Sequence, residues 1–242
     1  MNNLDIRSPV FITYLFLSLL VGVPVFFLLG KSFVIPLLIA LVGSFLLILI
    51  MIRLAPGAVL RSFGSIPANE KQFPRLHNAL EGICVNHGLD KPDVYVIDNP
   101  RGNAAAVADK RSQAVVLTTG AIDSLNLIEI EGLLAQLIAK CTDKKLPKKT
   151  VEAFFLRFPF TRIFTGNKKY KNDVGLEDAK GAELTRYPPG VQRSLIALRD
   201  LGTEIEDAPR STSHLWLMNP KELNAEDTHP SIEERVSAME EL

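Results

Sequence analysis

The chain has 242 residues, of which 47% are hydrophobic, and its 27 basic and 27 acidic side chains give zero formal net charge. A chain of this length can form one compact domain together with membrane-spanning segments. The absence of a basic excess disfavours a nucleic-acid-binding protein. The two cysteines, Cys84 and Cys141, match no Cys-x-x-Cys zinc pattern. Two widely separated cysteines fit a reducing compartment.

Two apolar runs, residues 9–30 and 33–54, carry no charged side chain except Arg53 near the end of the second run. Each run of about 22 residues is long enough to cross a hydrocarbon core of about 30 Å. A cleavable signal peptide is the alternative for the first run, but this run is longer than a typical signal core and a second span follows at once. The two runs therefore predict a transmembrane hairpin within residues 1–60.

The charges beside the two runs predict the orientation of this hairpin. Arg7 precedes the first run, Arg53 and Arg61 lie at the end of the second, and Lys31 lies in the short turn between them. An excess of basic residues near membrane helices favours the cytoplasmic side. We therefore expect a protein integral to the cell membrane, with residues 61–242 facing the cytoplasm.

Residues 61–242 have the pattern of an α+β domain that is mainly helical and has a small β-sheet. A helix is predicted from residue 74 to residue 88, because proline favours the first helical turn and glycine favours a helix end. The runs DVYVID, AAAVAD and QAVVLTT predict three short strands. Further helices are predicted for residues 188–201 and 231–242.

The most informative stretch is residues 129–143, with the sequence EIEGLLAQLIAKCTD. As a helix it presents an apolar stripe at the spacing of a core-facing surface. The stripe consists of Ile130, Leu133, Leu134, Leu137 and Ile138. The opposite face contains Gly132, Gln136 and Lys140. In a His-Glu-x-x-His zinc helix, two histidines four residues apart bind one metal ion, and the glutamate activates a bound water.

Several segments, in the same order, resemble the HtpX-like membrane metallopeptidases, the family that also contains the CAAX prenyl protease. Residues 73–108, which include the Asn-Ala turn at Asn103, resemble the helix and strand before the family's active site. EIEGLLAQLIAK resembles the helix that normally carries the histidine pair, and LEDAKGAELTRYPPG resembles the stretch with a Glu-x-x-x-Asp pair. HLWLMNP and THPSIEERVSAM resemble the family's C-terminal part. This resemblance covers most of residues 68–240 and implies a metallopeptidase-like (zincin) domain.

The sequence departs from this family at the positions that bind the metal. The His-Glu-x-x-His places hold Gln136, Leu137 and Lys140, and Val174 stands where the family has its third ligand, a glutamate. The aspartate that orients a ligand imidazole in the family is kept as Asp178. Zinc needs three or four nitrogen, sulfur or oxygen donors at about 2 Å. We therefore expect no metal, no other cofactor and no catalytic residue at this site.

Lys140 suggests a replacement for the metal ion. If its ammonium group projects into the vacated position, it would pair with Asp178, and Gln136 would form a hydrogen bond nearby. The alternative is that Lys140 extends along the surface to solvent. A fixed ammonium group about 4 Å from a cation also costs on the order of 1 kcal/mol per unit of the cation's charge in water, and several at lower effective dielectric, so zinc would bind poorly there.

Three further positions match the family near its cleft or its C-terminus. Asn103 matches an element that borders the substrate cleft, so it is a candidate for pairing with an extended peptide at a strand edge. His229 and Arg235 match the family's C-terminal His-Pro and Arg positions. Without zinc, a helix-capping or packing role is predicted for both side chains.

Residues 144–171 form a basic, phenylalanine-rich segment with nine Lys or Arg residues and one acidic residue, Glu152. In one interpretation its aromatic side chains enter the acyl boundary of a bilayer and its basic side chains contact anionic headgroups. In the other, the phenylalanines pack on the domain core and Pro159 kinks the helix. We favour the first interpretation, and the side chains predicted to face the membrane surface are Phe154, Phe155, Arg157, Phe158, Phe160, Arg162 and Phe164.

These observations predict a membrane-anchored pseudopeptidase, an inactive relative of a zinc metalloendopeptidase that acts as a binding, regulatory or scaffold module. Its expected partners are the lipid bilayer and another membrane protein or peptide segment, and not nucleic acid. One alternative is an active, divergent zinc metalloendopeptidase of membrane proteins, with ligands among Asp173, Glu177, Asp178 and His229. The other alternative is a structural subunit of a membrane complex.

Overall fold

The computed structural model describes residues 8–29, 34–165, 171–221 and 229–240. Within these ranges the chain forms helices and one small sheet in an α+β arrangement. The helices are α1 (Pro9–Leu29), α2 (Val34–Ser62), α3 (Pro74–His87), α4 (Thr119–Ser124), α5 (Leu127–Cys141), α6 (Leu146–Phe155), α7 (Pro159–Thr165), α8 (Lys171–Thr185), α9 (Pro188–Leu201) and α10 (Ile232–Glu240), with a 3-10 helix at Arg210–Leu215. The strands are β1 (Ile66–Pro67), β2 (Asp93–Ile97), β3 (Ala104–Ala108) and β4 (Gln113–Thr118).

The two apolar runs form the long helices α1 and α2, which are long and apolar enough to cross a membrane. Most of their large apolar side chains are exposed in the isolated chain, as expected for helices that face lipid. Small residues bring the two helices together: the hydroxyl groups of Ser18 and Ser44 lie 2.8 Å apart. One turn away, a Cβ added to Gly22 would lie 3.2 Å from the Cβ of Ala40. Small residues four apart allow membrane helices to approach closely.

Helix α2 continues beyond the second apolar run and enters the domain. Its last turns bury Ala55 and Val59, and Phe63 packs on Trp216 with ring centroids 4.8 Å apart. The predicted boundary at residue 60 therefore falls inside a helix. This shared helix joins the hairpin to the domain core without an intervening linker.

The four strands form one mixed sheet in the order β1-β2-β4-β3. Strands β2 and β4 are parallel, whereas β3 is antiparallel to β4 and pairs Ala106 with Val115. The three runs predicted as strands are β2, β3 and β4, so these predictions are confirmed. The helix predicted from residue 74 is α3, and it ends at Gly88 in the left-handed conformation, with φ of 62°.

Helix α5 lies at the centre of the domain, and a capping box formed by Asn126 and Glu129 fixes its start. The predicted apolar stripe lies in the core. The opposite face is also buried, because α8 and α9 cover it. Helix α9 approaches so closely that a Cβ on Gly132 would lie 2.4 Å from the carbonyl oxygen of Gly190. Gln136 and Lys140 are therefore interior residues.

The part of the basic, phenylalanine-rich segment that the structure describes before residue 166 forms α6 and α7. Phe155 is fully buried in the domain, so its predicted place at the membrane surface is wrong. Phe154 and Phe158 are half-buried, with ring centroids 5.9 Å apart. Phe160 stacks on Phe16 of α1 at a centroid distance of 4.4 Å. The segment thus packs against the first membrane helix, because its apolar rings find partners there.

The other predicted membrane-facing residues are only partly described. Arg157 is exposed, as a side chain that contacts headgroups would be. The side chains of Arg162 and Phe164 lie outside the described part of the structure. Contact of this segment with lipid stays a prediction, now limited to its exposed or half-buried side chains.

Candidate functional site

The residues predicted to mark a degenerate metal site lie where α5 crosses α8. The two helices are close because α8 has a glycine at the crossing. A Cβ on Gly181 would lie 3.0 Å from the Cα of Gln136. This contact directs the side chains of Gln136 and Lys140 at the face of α8 that carries Glu177 and Asp178.

Lys140 is buried, with 1% of its surface exposed, and its Nζ donates a hydrogen bond of 2.8 Å to Oε2 of Glu177. The predicted pair of Lys140 with Asp178 is therefore wrong, and so is the alternative in which Lys140 reaches solvent. The other oxygen of Glu177, Oε1, lies 3.5 Å from Nζ of Lys149. Lys149 in turn lies 3.1 Å from Oδ2 of Asp143. These four charges alternate in sign, so each buried charge has an opposite neighbour.

Asp178 pairs with Arg235 of α10 instead. Both carboxylate oxygens accept hydrogen bonds of 2.7 Å from the guanidinium group, in the bidentate geometry that favours this pair. Oδ1 also accepts a bond of 2.7 Å from Nε2 of Gln136, so the hydrogen bond that Gln136 was expected to form nearby is made to Asp178 itself. Arg235 further donates to the carbonyl oxygen of Leu217 at 2.9 Å. Arg235 thus provides the cation that Lys140 was expected to provide.

Two buried histidines lie beside these charges. Nε2 of His214 is 3.0 Å from the carbonyl oxygen of Lys149, and Nε2 of His229 is 3.0 Å from that of Trp216. Burial lowers the pKa of His214 to about 4 and that of His229 to about 3, and Lys140 contributes repulsion to both. Both imidazoles are neutral at pH 7. His229 is therefore a buried side chain that contacts the backbone at Trp216, which fits the predicted packing role.

The remaining metal-site positions are apolar. Leu137, at the place of the family's general base, is fully buried in the core, and Val174, at the place of the third ligand, is 4% exposed. Neither side chain has a lone pair to offer a metal ion or a water molecule. These positions complete the core between α5 and α8.

Zinc does not fit this arrangement. Arg235 binds both oxygens of Asp178, and Lys140 donates to Oε2 of Glu177. Oε1 of Glu177 accepts no hydrogen bond from the described residues and has the ammonium group of Lys149 at 3.5 Å, so a cation already lies beside it. These ion pairs join three cations, Lys140, Lys149 and Arg235, to three anions, Glu177, Asp178 and Asp143. A divalent ion would add two uncompensated positive charges to a buried site. Among the described residues, no group of three His, Cys, Asp or Glu side chains could hold a metal ion.

Asn103 does not line an open groove, contrary to prediction. Its side chain is fully buried, and its amide nitrogen donates to the carbonyl oxygens of Thr203 at 2.7 Å and Met218 at 3.2 Å. Its side-chain oxygen accepts from the backbone nitrogen of Ala104 at 2.8 Å. The side chain is therefore a fixed link between β3 and the segment that contains Met218.

That segment occupies the outer edge of β3. The backbone nitrogen of Leu217 donates to the carbonyl oxygen of Ala104 at 2.7 Å, and Trp216 forms an antiparallel bridge with Ala105. Further along the strand, the backbone nitrogen of Ala108 donates to Oγ1 of Thr150. An extended peptide would have to displace these contacts before it could pair with β3.

The sequence named Glu177 only as an alternative zinc ligand, not as the partner of Lys140, and it did not indicate Lys149 at all. A signal for Glu177 exists: positions 174, 177, 178 and 181 share one helical face, so Glu177 points in the same direction as Asp178. No local signal identifies Lys149, because its burial depends on how α6 packs against the rest of the domain.

The chain is similar in sequence to proteins named Protease HtpX homolog. It is 27% identical over 229 residues to that of Caldanaerobacter subterraneus subsp. tengcongensis, which covers 76% of this chain and 77% of the relative. It is also 27% identical over 222 residues to the Protease HtpX homolog of Dictyoglomus thermophilum. That match covers 75% of this chain and 73% of the relative. No protein-family model matches the chain.

The fold is similar to the crystal structure of S. mikatae Ste24p. The TM-score is 0.50 at 17% sequence identity, and the match covers 92% of this chain and 61% of the Ste24p chain. The chain therefore spans about three-fifths of that protein. This likeness confirms the predicted fold class, with two apolar N-terminal helices followed by a mainly helical domain that contains a small sheet.

Proposed function

From the relationship of this chain to the HtpX-like metallopeptidases, we propose that it is a membrane-anchored pseudopeptidase. It keeps the peptidase fold, does not hydrolyse peptide bonds and acts as a binding, regulatory or scaffold module. The observation that carries this proposal is the buried ion pair of Lys140 and Glu177, 2.8 Å apart, at a position that matches a zinc ligand of the family.

Hydrolysis by a zinc peptidase needs an ion that polarises a water molecule and a base that takes its proton. Lys140 places a fixed positive charge beside this position, and Leu137 replaces the base with a hydrocarbon side chain. Asp178 cannot take over either task, because Arg235 and Gln136 occupy its oxygens. The arrangement supports a structural site that holds three helices together.

The most exposed apolar surface belongs to the hairpin and supports a membrane partner. Leu19, Phe27 and Leu28 are 67%, 79% and 82% exposed. In a bilayer such a surface contacts lipid tails or the helix of another membrane protein. Because the edge of β3 is covered, the module would bind its partner through the hairpin or through the exposed surface of the domain.

We also propose that the domain faces the cytoplasm, because Arg53 and Arg61 lie at its end of the hairpin. Both native cysteines are buried, so an introduced cysteine can be labelled selectively. We expect a membrane-impermeant maleimide, added to intact cells, to label Ser32→Cys between the two helices and not Asn86→Cys on α3. Labelling of Asn86→Cys before lysis, with Ser32→Cys protected, would reverse the orientation.

The function is tested with the full chain in proteoliposomes, incubated with zinc and an unfolded protein substrate such as casein. We expect no cleavage above that of empty liposomes, with or without a chelator, because no described group can activate water at this site. Cleavage that zinc supports, and that a chelator and Asp178→Asn both abolish, would instead establish the active metalloendopeptidase. An HtpX protease in the same liposomes serves as the positive control.

A further inference from the structure

A cleft of about 560 Å³ lies where the membrane hairpin meets the domain. Val10 near the start of α1 and Ile52 of α2 contribute apolar lining from the hairpin. Pro147 and Val151 of α6 contribute apolar lining from the domain. The cleft therefore has hydrocarbon surface that continues onto the membrane helices.

Cationic side chains surround this apolar lining. They are Arg53 of α2, Lys110 and Arg111 of the β3–β4 turn, and Lys144 and Lys148 beside and within α6. All five are exposed, so their charged groups are free to approach a ligand. The turn and the helix thus bring charges from distant parts of the sequence to one opening.

Two acidic residues, Asp109 and Glu152, also line the cleft but do not cancel this charge. Although burial opposes it, hydrogen bonds from the backbone nitrogens of Arg111 at 2.6 Å and Ser112 at 2.7 Å lower the pKa of Asp109. That carboxylate accepts hydrogen bonds from the backbone of the β3–β4 turn. Glu152 is buried and lies 3.9 Å from Lys148. Five cations against two anions leave a net charge of +3.

The position of the cleft fixes its depth relative to a bilayer. Arg53 is the first charged residue of α2 and lies at the end of its apolar run, so it marks the level at which hydrocarbon gives way to headgroups. Ile52 and Val10 then lie at the hydrocarbon boundary, and the lysines of α6 lie at headgroup height. Apolar lining and positive charge therefore meet at the depth where a phospholipid has its glycerol and phosphate groups.

We propose that this cleft binds one anionic phospholipid. Its phosphate and anionic headgroup lie among Lys110, Arg111 and Lys144, and the upper part of its acyl chains lies along Val10 and Ile52. A soluble phosphate compound would meet the same charges but would leave the apolar lining in contact with water. A lipid satisfies both parts of the cleft, so the observations favour it.

The test is native mass spectrometry of the full chain in detergent micelles, titrated with phosphatidylglycerol, with phosphatidylcholine of the same acyl chains, or with inorganic phosphate. We expect one phosphatidylglycerol to remain bound, at least about 25-fold more tightly than phosphatidylcholine, since Lys110 and Arg111 each contribute about fivefold. Inorganic phosphate at millimolar concentration should not displace it. Equal binding of the two lipids, or displacement by phosphate, overturns the proposal.

The variant Lys110→Gln/Arg111→Gln removes two of the five charges from an exposed turn and should not affect folding. We expect it to weaken phosphatidylglycerol binding about 25-fold, because both side chains approach the headgroup. The control variant Lys71→Gln/Arg193→Gln makes the same change in net charge at exposed positions outside the cleft. Unchanged binding in the first variant, or an equal loss in the control, contradicts a site in this cleft.

Discussion

Replacing Lys140 with methionine is expected to lower the free energy of unfolding by about 3 kcal/mol. Methionine fills a similar volume, so the loss does not come from a cavity. It comes from Glu177, which is left buried with only the longer 3.5 Å contact to Lys149. The measurement is chemical denaturation of the full chain in detergent micelles, compared with the wild-type chain under the same conditions.

The double variant Lys140→Met/Glu177→Met separates the ion pair from simple packing. It removes both charges, so we expect it to be more stable than the Lys140→Met chain by at least about 1 kcal/mol. Arg199→Ala is the matched control, because Arg199 and Glu233 form a salt bridge of 3.2 Å with both side chains exposed. It should destabilise the chain much less than Lys140→Met does, because solvent screens the exposed pair. If Lys140→Met costs no more than this control, the buried pair does not stabilise the fold.

Acidification from pH 7 to pH 5 is expected to destabilise the protein by about 4 kcal/mol, about 2 kcal/mol from each of His214 and His229. Their pKa values in the folded chain, about 4 and about 3, lie below the ordinary value of 6.5. Between the folded-state pKa values and pH 6.5, the unfolded chain therefore binds protons at both histidines that the folded chain does not bind, and this favours unfolding. The stabilisation is complete above pH 6.5 and is lost as the pH falls towards the folded-state values.

The pH effect is checked by denaturation of the full chain at several pH values. His214→Gln and His229→Gln should each remove about half of the acid sensitivity, because glutamine can still donate to the backbone carbonyl oxygen but does not titrate. His87→Gln is the control, since that ring is only part-buried and bonds the carbonyl oxygen of Leu184 at 2.8 Å. If both test variants keep the pH dependence of the wild-type chain, the two buried histidines are not the source of the acid sensitivity.

Much of the fold could be predicted because its signals are local. Patterns over a few residues predict α3, the strands β2 to β4 and the two membrane helices. These patterns are proline and glycine at helix ends and the spacing of apolar residues. The apolar stripe of α5 identified the core side of that helix. It could not reveal that α8 and α9 cover the other side, because their approach depends on Gly132 and Gly181 meeting backbone from elsewhere.

The sequence indicates which residue types lie at the candidate site, but not which side chains of α5 and α8 contact each other. Residue identities alone indicate that positions 136, 137, 140 and 174 offer zinc no adequate ligand set. The partner of Lys140 depends on how α5 and α8 cross, which places Gln136 opposite Asp178 and Lys140 opposite Glu177. The sequence carries no local information about that crossing.

The state of the β3 edge was not predictable for a similar reason. Asn103 contacts Met218, which is 115 residues further along the chain. The motif around Asn103 favours a strand edge that pairs with a peptide. It gives no indication that residues 216–218 of the same chain already pair with this edge. Any partner that binds at β3 must therefore compete with a segment of the same chain.

The most direct test of the account is the zinc content of the purified full chain after equilibration with micromolar zinc. We predict no stoichiometric zinc, because Lys140 and Arg235 already form ion pairs with the carboxylates of Glu177 and Asp178. A variant with Gln136→His, Leu137→Glu, Lys140→His, Val174→Glu and Glu177→Ala shows whether the same fold can bind zinc when ligands are supplied. One tightly bound zinc per wild-type chain, lost in Asp178→Asn or His229→Gln, would contradict the central claim.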